Sequence, residues 1–85
     1  MTGGIAVASG TSSPICAART GRKEVTVILE AATTAIRLRS TNDASATVGA
    51  RLPGVDGEAI TISGDLAVYG AGITGATTVS VIEVW

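Results

Sequence analysis

The chain has 85 residues, which is enough for one domain and too few for a second. Six Lys and Arg residues balance seven Asp and Glu residues without any block of like charge, which argues against a protein that binds nucleic acid by neutralising many phosphates. The longest apolar segment, residues 25–36, is interrupted by Thr26 and Glu30 and is too short to cross a membrane. No basic segment followed by an apolar core stands at the start, so we expect no signal peptide.

In the first half of the chain, short runs of Val, Ile and Leu between turn residues predict four β-strands. Residues 23–29 form the clearest of them, because Val25, Val27 and Leu29 alternate with other residues and share one face. A turn at Asn42 and Asp43 closes this half. The predicted strands are residues 4–8, 14–18, 23–29 and 35–39.

The second half predicts four more strands, the last of which is strongly β-branched. A loop at residues 52–57 and a glycine-rich loop at residues 70–75 separate them. Seven or eight short antiparallel strands predict an all-β fold, an antiparallel β-sandwich or jelly roll, as a single domain over residues 1–85. Residues 1–20 would form either an extended arm or the weak first strands of that domain. The predicted strands are residues 46–51, 58–62, 66–69 and Thr77–Val84.

The chain contains one cysteine, Cys16, which excludes an intramolecular disulfide. The simplest interpretation is a protein folded in a reducing cytoplasm, in which Cys16 is a small buried hydrophobic residue. The alternative is an intermolecular disulfide or a reactive thiol, although the chain has no histidine to activate it.

Residues that could carry chemistry are sparse. Without histidine, neither a Ser–His nor a Cys–His nucleophile pair can be built. Asp56 and Glu58 could act as paired carboxylates or hold calcium, but their spacing lacks the alternating oxygen ligands of a calcium loop. The glycines at 70, 72 and 75 precede no helix and are interpreted as turn residues. We therefore predict no enzymatic activity, no cofactor and no metal site.

Three residues are candidates for an interface. Arg37 and Arg39 alternate with the inward-facing Ile36 and Leu38, so both arginines are expected on the outer face of their strand. They would pair either with acidic residues on a neighbouring strand, such as Glu24 or Glu30, or with groups on another subunit. Trp85 would either cover one end of the core or anchor a contact between subunits.

Five segments of the chain resemble a group of small structural proteins of tailed bacteriophages, found as capsid decoration (cement) proteins or head-fibre proteins. These segments are RKEVTVI at residues 22–28, AIRL at 35–38, GEAITI at 57–62, DLAVYG at 65–70 and TTVSVIE at 77–83. Together they span most of the chain. The resemblance implies a β-sandwich, self-association (often as trimers) and binding to the outside of a capsid.

We therefore expect a non-enzymatic virion protein, made in the host cytoplasm, that stabilises a phage capsid by adding contacts between subunits. Its expected partners are copies of itself, as a homotrimer, and the major capsid protein. Neither nucleic acid nor a membrane is an expected partner. One rival function is a tail or fibre component that binds a host surface glycan, which would need exposed aromatic residues. The other is a small hydrolase, which the missing histidine disfavours.

Overall fold

The computed structural model describes residues 2–30, 34–45, 47–55 and 57–85, and these residues contain eight β-strands and no helix. The predicted all-β fold is confirmed. The strands are β1 (Thr2–Val7), β2 (Ser13–Cys16), β3 (Glu24–Leu29), β4 (Ile36–Arg39), β5 (Ala50–Leu52), β6 (Ala59–Ser63), β7 (Val68–Gly72) and β8 (Thr77–Val84).

The strands form two four-stranded antiparallel sheets. Sheet 1 has the order β1-β8-β3-β6, and sheet 2 has the order β2-β7-β4-β5. The pairing is nested: the first strand pairs with the last, the second with the second-last, and so on. The pairs are β1–β8, β2–β7, β3–β6 and β4–β5. The long antiparallel strip so formed then closes on itself, because β3 also pairs with β8 and β4 also pairs with β7. This connectivity is a jelly roll.

The core fills the space between the two sheets and consists of alternate residues of the strands. The predicted inner face of β3 is confirmed, because Val25, Val27 and Leu29 are fully buried. Ile36 and Leu38 of β4 are also buried, as their alternation with arginines predicts. The core is aliphatic and lacks phenylalanine altogether, so small branched side chains fill it.

The first twenty residues contribute one strand to each sheet. Ile5 in β1 opposes Val79, and Val7 opposes Thr77. Ile15 in β2 is buried in the core. These contacts make the start of the chain part of the jelly roll, as weak first strands would be, and no extended arm forms over residues 2–20.

Three predicted boundaries are wrong. The strand expected at residues 46–51 lies at Ala50–Leu52, and residue 46 itself lies outside the described residues. The strand expected at residues 66–69 begins later and continues through Gly72. Residues 70–72, predicted as part of a glycine-rich loop, are therefore strand residues buried in sheet 2.

Close packing explains why glycines occur inside β7. A Cβ atom on Gly70 would lie 2.5 Å from Cδ1 of Ile15 and 3.2 Å from Cδ2 of Leu38. Both distances are shorter than van der Waals contact, so neighbouring strands of sheet 2 can place their large side chains over β7 only because Gly70 has none. Glycine within a strand thus marks close packing here and not a turn.

Candidate functional site

The outer face of sheet 1 is nearly free of charge. On its two central strands, Thr26 of β3 lies opposite Ile82 of β8, and Glu24 lies opposite Val84. Ile82 and Val84 are each 40% exposed although both are aliphatic. Glu24 stands at one end of the face, so the middle of these two strands presents hydroxyl and aliphatic groups only.

The remaining strands of sheet 1 extend the same surface. The edge strand β6 contributes Ala59, Thr61 and Ser63, all of which are exposed. The hydroxyl groups of Thr26 and Thr61 lie 2.8 Å apart and form a hydrogen bond across the two strands. At the far end, Ser80 donates a hydrogen bond to the carboxylate of Glu30. Among the described residues of sheet 1, the outward-facing acidic side chains on and beside the central strands are Glu24 and Glu30, at the two ends of β3, and the four strands contain no lysine or arginine.

The outer face of sheet 2 has the opposite character and is called the arginine face. It presents Arg37 and Arg39 of β4 and Arg51 of β5, and the register places Arg51 directly opposite Arg37. Tyr69 of β7 lies opposite Arg39. The four strands of sheet 2 contain no acidic residue. Like charges in directly opposed positions repel one another.

The expected outward position of Arg37 and Arg39 is confirmed, but the expected acidic partners on a neighbouring strand are wrong. Glu24 belongs to β3 in the other sheet. Nε of Arg39 instead lies 2.9 Å from the carboxylate of Asp43, four residues along the chain in the turn after β4. Nη1 of Arg37 donates a hydrogen bond of 3.0 Å to the carbonyl of Gly49. Local turns, and not sheet neighbours, thus provide these contacts.

An apolar cleft opens between the edges of the two sheets. Its volume is about 290 Å³, and it separates β6 of sheet 1 from β4 of sheet 2. The walls include Leu38, Ile60, Ile62 and Val68, and Leu66 at the rim is 64% exposed. This volume is at the lower limit for pockets that hold small molecules.

A buried polar cluster closes one end of the molecule around Arg22, whose side chain is 1% exposed. Its guanidinium donates to the carbonyl of Ala17 at 3.0 Å, to the carbonyls of Gly64 and Leu66, and to the carboxylate of Glu83 at 3.1 Å. The carbonyls belong to the segment after β2 and the connection between β6 and β7. Arg22 thereby joins three separate parts of the chain, and its charge is offset by Glu83.

Cys16 belongs to the same cluster. It is buried as predicted, but it is not surrounded by apolar groups alone: its thiol donates to Glu83 at 3.1 Å and accepts a hydrogen bond of 3.0 Å from Arg22. Burial raises the pKa of Cys16 above 9.0, and the hydrogen bond and charge of Glu83 raise it further. Hydrogen bonds from Cys16, Arg22 and Arg19 hold the pKa of Glu83 below 4.5. A raised pKa and burial both disfavour a reactive thiolate.

The other sequence candidates do not come together. Trp85 is 58% exposed, and its indole lies beside the turn at Gly21, where a Cβ atom would be 3.9 Å away. Asp56 lies outside the described residues, and Glu58 is exposed. Among the residues with described positions, no group of three or more Cys, Asp and Glu side chains could hold a metal ion. Within the same residues, no helix is long and apolar enough to span a membrane.

Sequence reasoning missed Arg22, Glu83 and Arg51. Alternation along β8 places Glu83 on the same side as Val79 and Val81, which is a signal that this carboxylate faces inward and needs a cationic partner. Arg51 lay in the predicted strand 46–51, but only the pairing of β5 with β4 brings it beside Arg37. Comparisons with protein-family models, curated proteins and solved structures found no match.

Proposed function

We propose that the chain is a non-enzymatic structural protein of a phage virion, which decorates the capsid and stabilises it by adding contacts between subunits. It would be made in the host cytoplasm, associate with copies of itself and bind the major capsid protein. The proposal starts from the five sequence segments that resemble phage decoration and head-fibre proteins.

The observation that carries the proposal is the outer face of sheet 1. An antiparallel sheet with one face on the core normally presents polar and charged side chains to water on the other face. Here the central strands present Ile82 and Val84, each 40% exposed, beside hydroxyl groups, and Glu24 is the one acidic side chain that they carry on this face. Exposed aliphatic side chains on a face with few charges favour protein association. A module that works through its surface is therefore better supported than one that works through an enclosed site.

The connectivity of the strands adds support at the level of the fold. Jelly rolls recur in viral capsid proteins, where many copies pack side by side. A fold does not determine a function, so the jelly roll supports the proposal only in addition to the outer face of sheet 1.

The arginine face is the surface we assign to the capsid. It lies on the side opposite the outer face of sheet 1, so one molecule can contact two neighbours at once. Arginine is favoured at interfaces because its planar guanidinium binds carboxylates in pairs of parallel hydrogen bonds. Arg37, Arg39 and Arg51 would meet acidic groups on the capsid protein.

Co-sedimentation with phage shells tests the proposal. Purified chain is mixed with shells of the phage that encodes it, and bound chain is measured in the pellet. We expect saturable binding that weakens as salt is raised, because the contact is between charges. Failure of the chain to bind such shells at any salt concentration, together with its absence from purified virions, would contradict the proposed function.

A matched pair of variants tests the assigned surface. Arg51→Gln removes one exposed charge from the arginine face and is expected to weaken shell binding about tenfold, as loss of one interface charge pair does. Lys23→Gln removes one exposed charge outside that face and should leave binding unchanged. Equal effects of the two substitutions would show that net charge matters and the arginine face does not.

A further inference from the structure

A partner that covered the outer face of sheet 1 would need to lack a strong charge. Its strands contain no lysine or arginine, so an acidic partner would find no cation there, and the acidic ends of β3 are too far apart to form one binding site for a basic partner. The centre of the face consists of Thr26, Thr61 and Ile82. A partner surface with the same hydroxyl and aliphatic character fits it best.

A second copy of the chain provides such a surface. In a two-fold dimer the same patch occurs on both subunits, so it must tolerate contact with itself. A patch with many charges of one sign would repel its own copy, whereas the middle of this face would not. Hydroxyl groups such as that of Thr61 both donate and accept hydrogen bonds, so they can pair with identical groups.

The size of the face is compatible with a weak dimer. Four strands that lie about 4.8 Å apart and rise about 3.3 Å per residue cover roughly 20 Å by 20 Å. Pairing two such faces removes on the order of 800 Å² from water, and the residues at the rim bring the total towards about 1,000 Å², the lower end for specific interfaces.

We infer that the outer face of sheet 1 packs face to face against the same face of a second copy, as a two-fold dimer. This inference rests on the proposed function for its biological setting, since it names the surface through which the copies associate. It differs from the trimers that the sequence resemblance implies, because a three-fold ring needs two different patches on each subunit.

Sedimentation equilibrium over a hundredfold range of concentration tests the inference. We expect a monomer–dimer equilibrium for the unmodified chain. Ile82→Lys places a charge at the centre of the face and should weaken association at least tenfold. Val55→Lys is the matched control, because Val55 is also exposed and aliphatic but lies in the loop after β5, outside the face. Thr61→Lys, on an exposed position of the edge strand β6, provides a second disruptive variant if Ile82→Lys does not fold.

The outcomes separate the inference from the proposed function. A dimer that Ile82→Lys or Thr61→Lys dissociates and that Val55→Lys leaves intact supports the inference. A trimer, a persistent monomer, or a dimer unaffected by both face variants would overturn it, even if the chain still binds shells. Conversely, a dimer with the expected response in a chain that does not bind shells would support the dimer and contradict the role in the virion.

Discussion

Arg22 and the arginines of the arginine face place the same side chain in two opposite environments. Arg22 is buried at one end of the jelly roll, where backbone carbonyls, Cys16 and Glu83 accept its hydrogen bonds. Arg39 and Arg51 are exposed on sheet 2, where none of the strands carries an acidic residue. The difference shows that the surroundings of an arginine, and not its presence, decide whether it holds the fold together or is available to a partner.

The energetic consequences of the two environments differ in the same way. A buried ion pair costs much free energy when one partner is removed, because the other charge stays desolvated without compensation. An exposed ion pair contributes little to the free energy of unfolding, because each charge gives up contact with water to make contact with its partner. Stability measurements should therefore respond to Arg22, and binding measurements should respond to the arginine face.

The largest effect is expected for Arg22→Met. The substitution keeps a long side chain but removes hydrogen bonds to the carbonyls of Ala17, Gly64 and Leu66. It also removes the buried one of the two cations that pair with Glu83, while the half-exposed Arg19 remains 2.8 Å from that carboxylate. We expect the free energy of unfolding, measured by denaturant titration, to fall by about 3–5 kcal/mol. Arg51→Met is the matched control and should change it by less than about 0.5 kcal/mol. Similar effects of the two variants would contradict the comparison.

The pH dependence of stability should have a contribution from each titrating member of the cluster. The pKa of Glu83 is held below 4.5, so its contribution is complete above pH 4.5 and is lost as the pH falls through the lowered value. The pKa of Cys16 is raised above 9.0, so its contribution is present below pH 9.0 and is lost as the pH rises. Chemical denaturation across this pH range measures both.

Two variants test which residue causes each loss of stability. Glu83→Gln should reduce the loss at acid pH (the acid limb), and Cys16→Ala should reduce the loss at alkaline pH (the alkaline limb). Acid and alkaline limbs with unchanged slopes in the two variants would show that other groups control the pH dependence.

The smallest effect is expected for Arg39→Ala. Its ion pair with Asp43 is 2.9 Å long, but both side chains are largely exposed, at 41% and 58%. We expect a loss of about 0.2–1 kcal/mol in the free energy of unfolding, and less at high salt. A loss as large as that of Arg22→Met would show that the arginine face is part of the structural framework.

Much of the fold could be predicted from local sequence pattern. Alternation in β3 and the β-branched run of β8 predicted both strands correctly, because each has one face on the core and one face outside. Gly70 misled the prediction, since local pattern cannot distinguish a glycine that permits a turn from one that lets Ile15 and Leu38 pack against the strand.

The interaction surfaces were predictable only in part. Arg37 and Arg39 could be assigned to an outer face from alternation, but Arg51 joins them through the pairing of β4 with β5, which no local pattern specifies. The outer face of sheet 1 also depends on strand order, because it brings Thr61 beside Thr26 and Ile82 from three separate segments. Pairing between distant segments decides where a surface forms.

The most direct test of the central claim, that copies of this chain associate through the outer face of sheet 1, is thermal unfolding at two concentrations a hundredfold apart, both above the dissociation constant. Mass action stabilises an associating fold as concentration rises, and we expect the melting temperature of the unmodified chain to increase by about 5–10 °C. Ile82→Lys should show a much smaller increase. A high melting temperature that does not depend on concentration would show that the chain stabilises itself, and it would contradict the account.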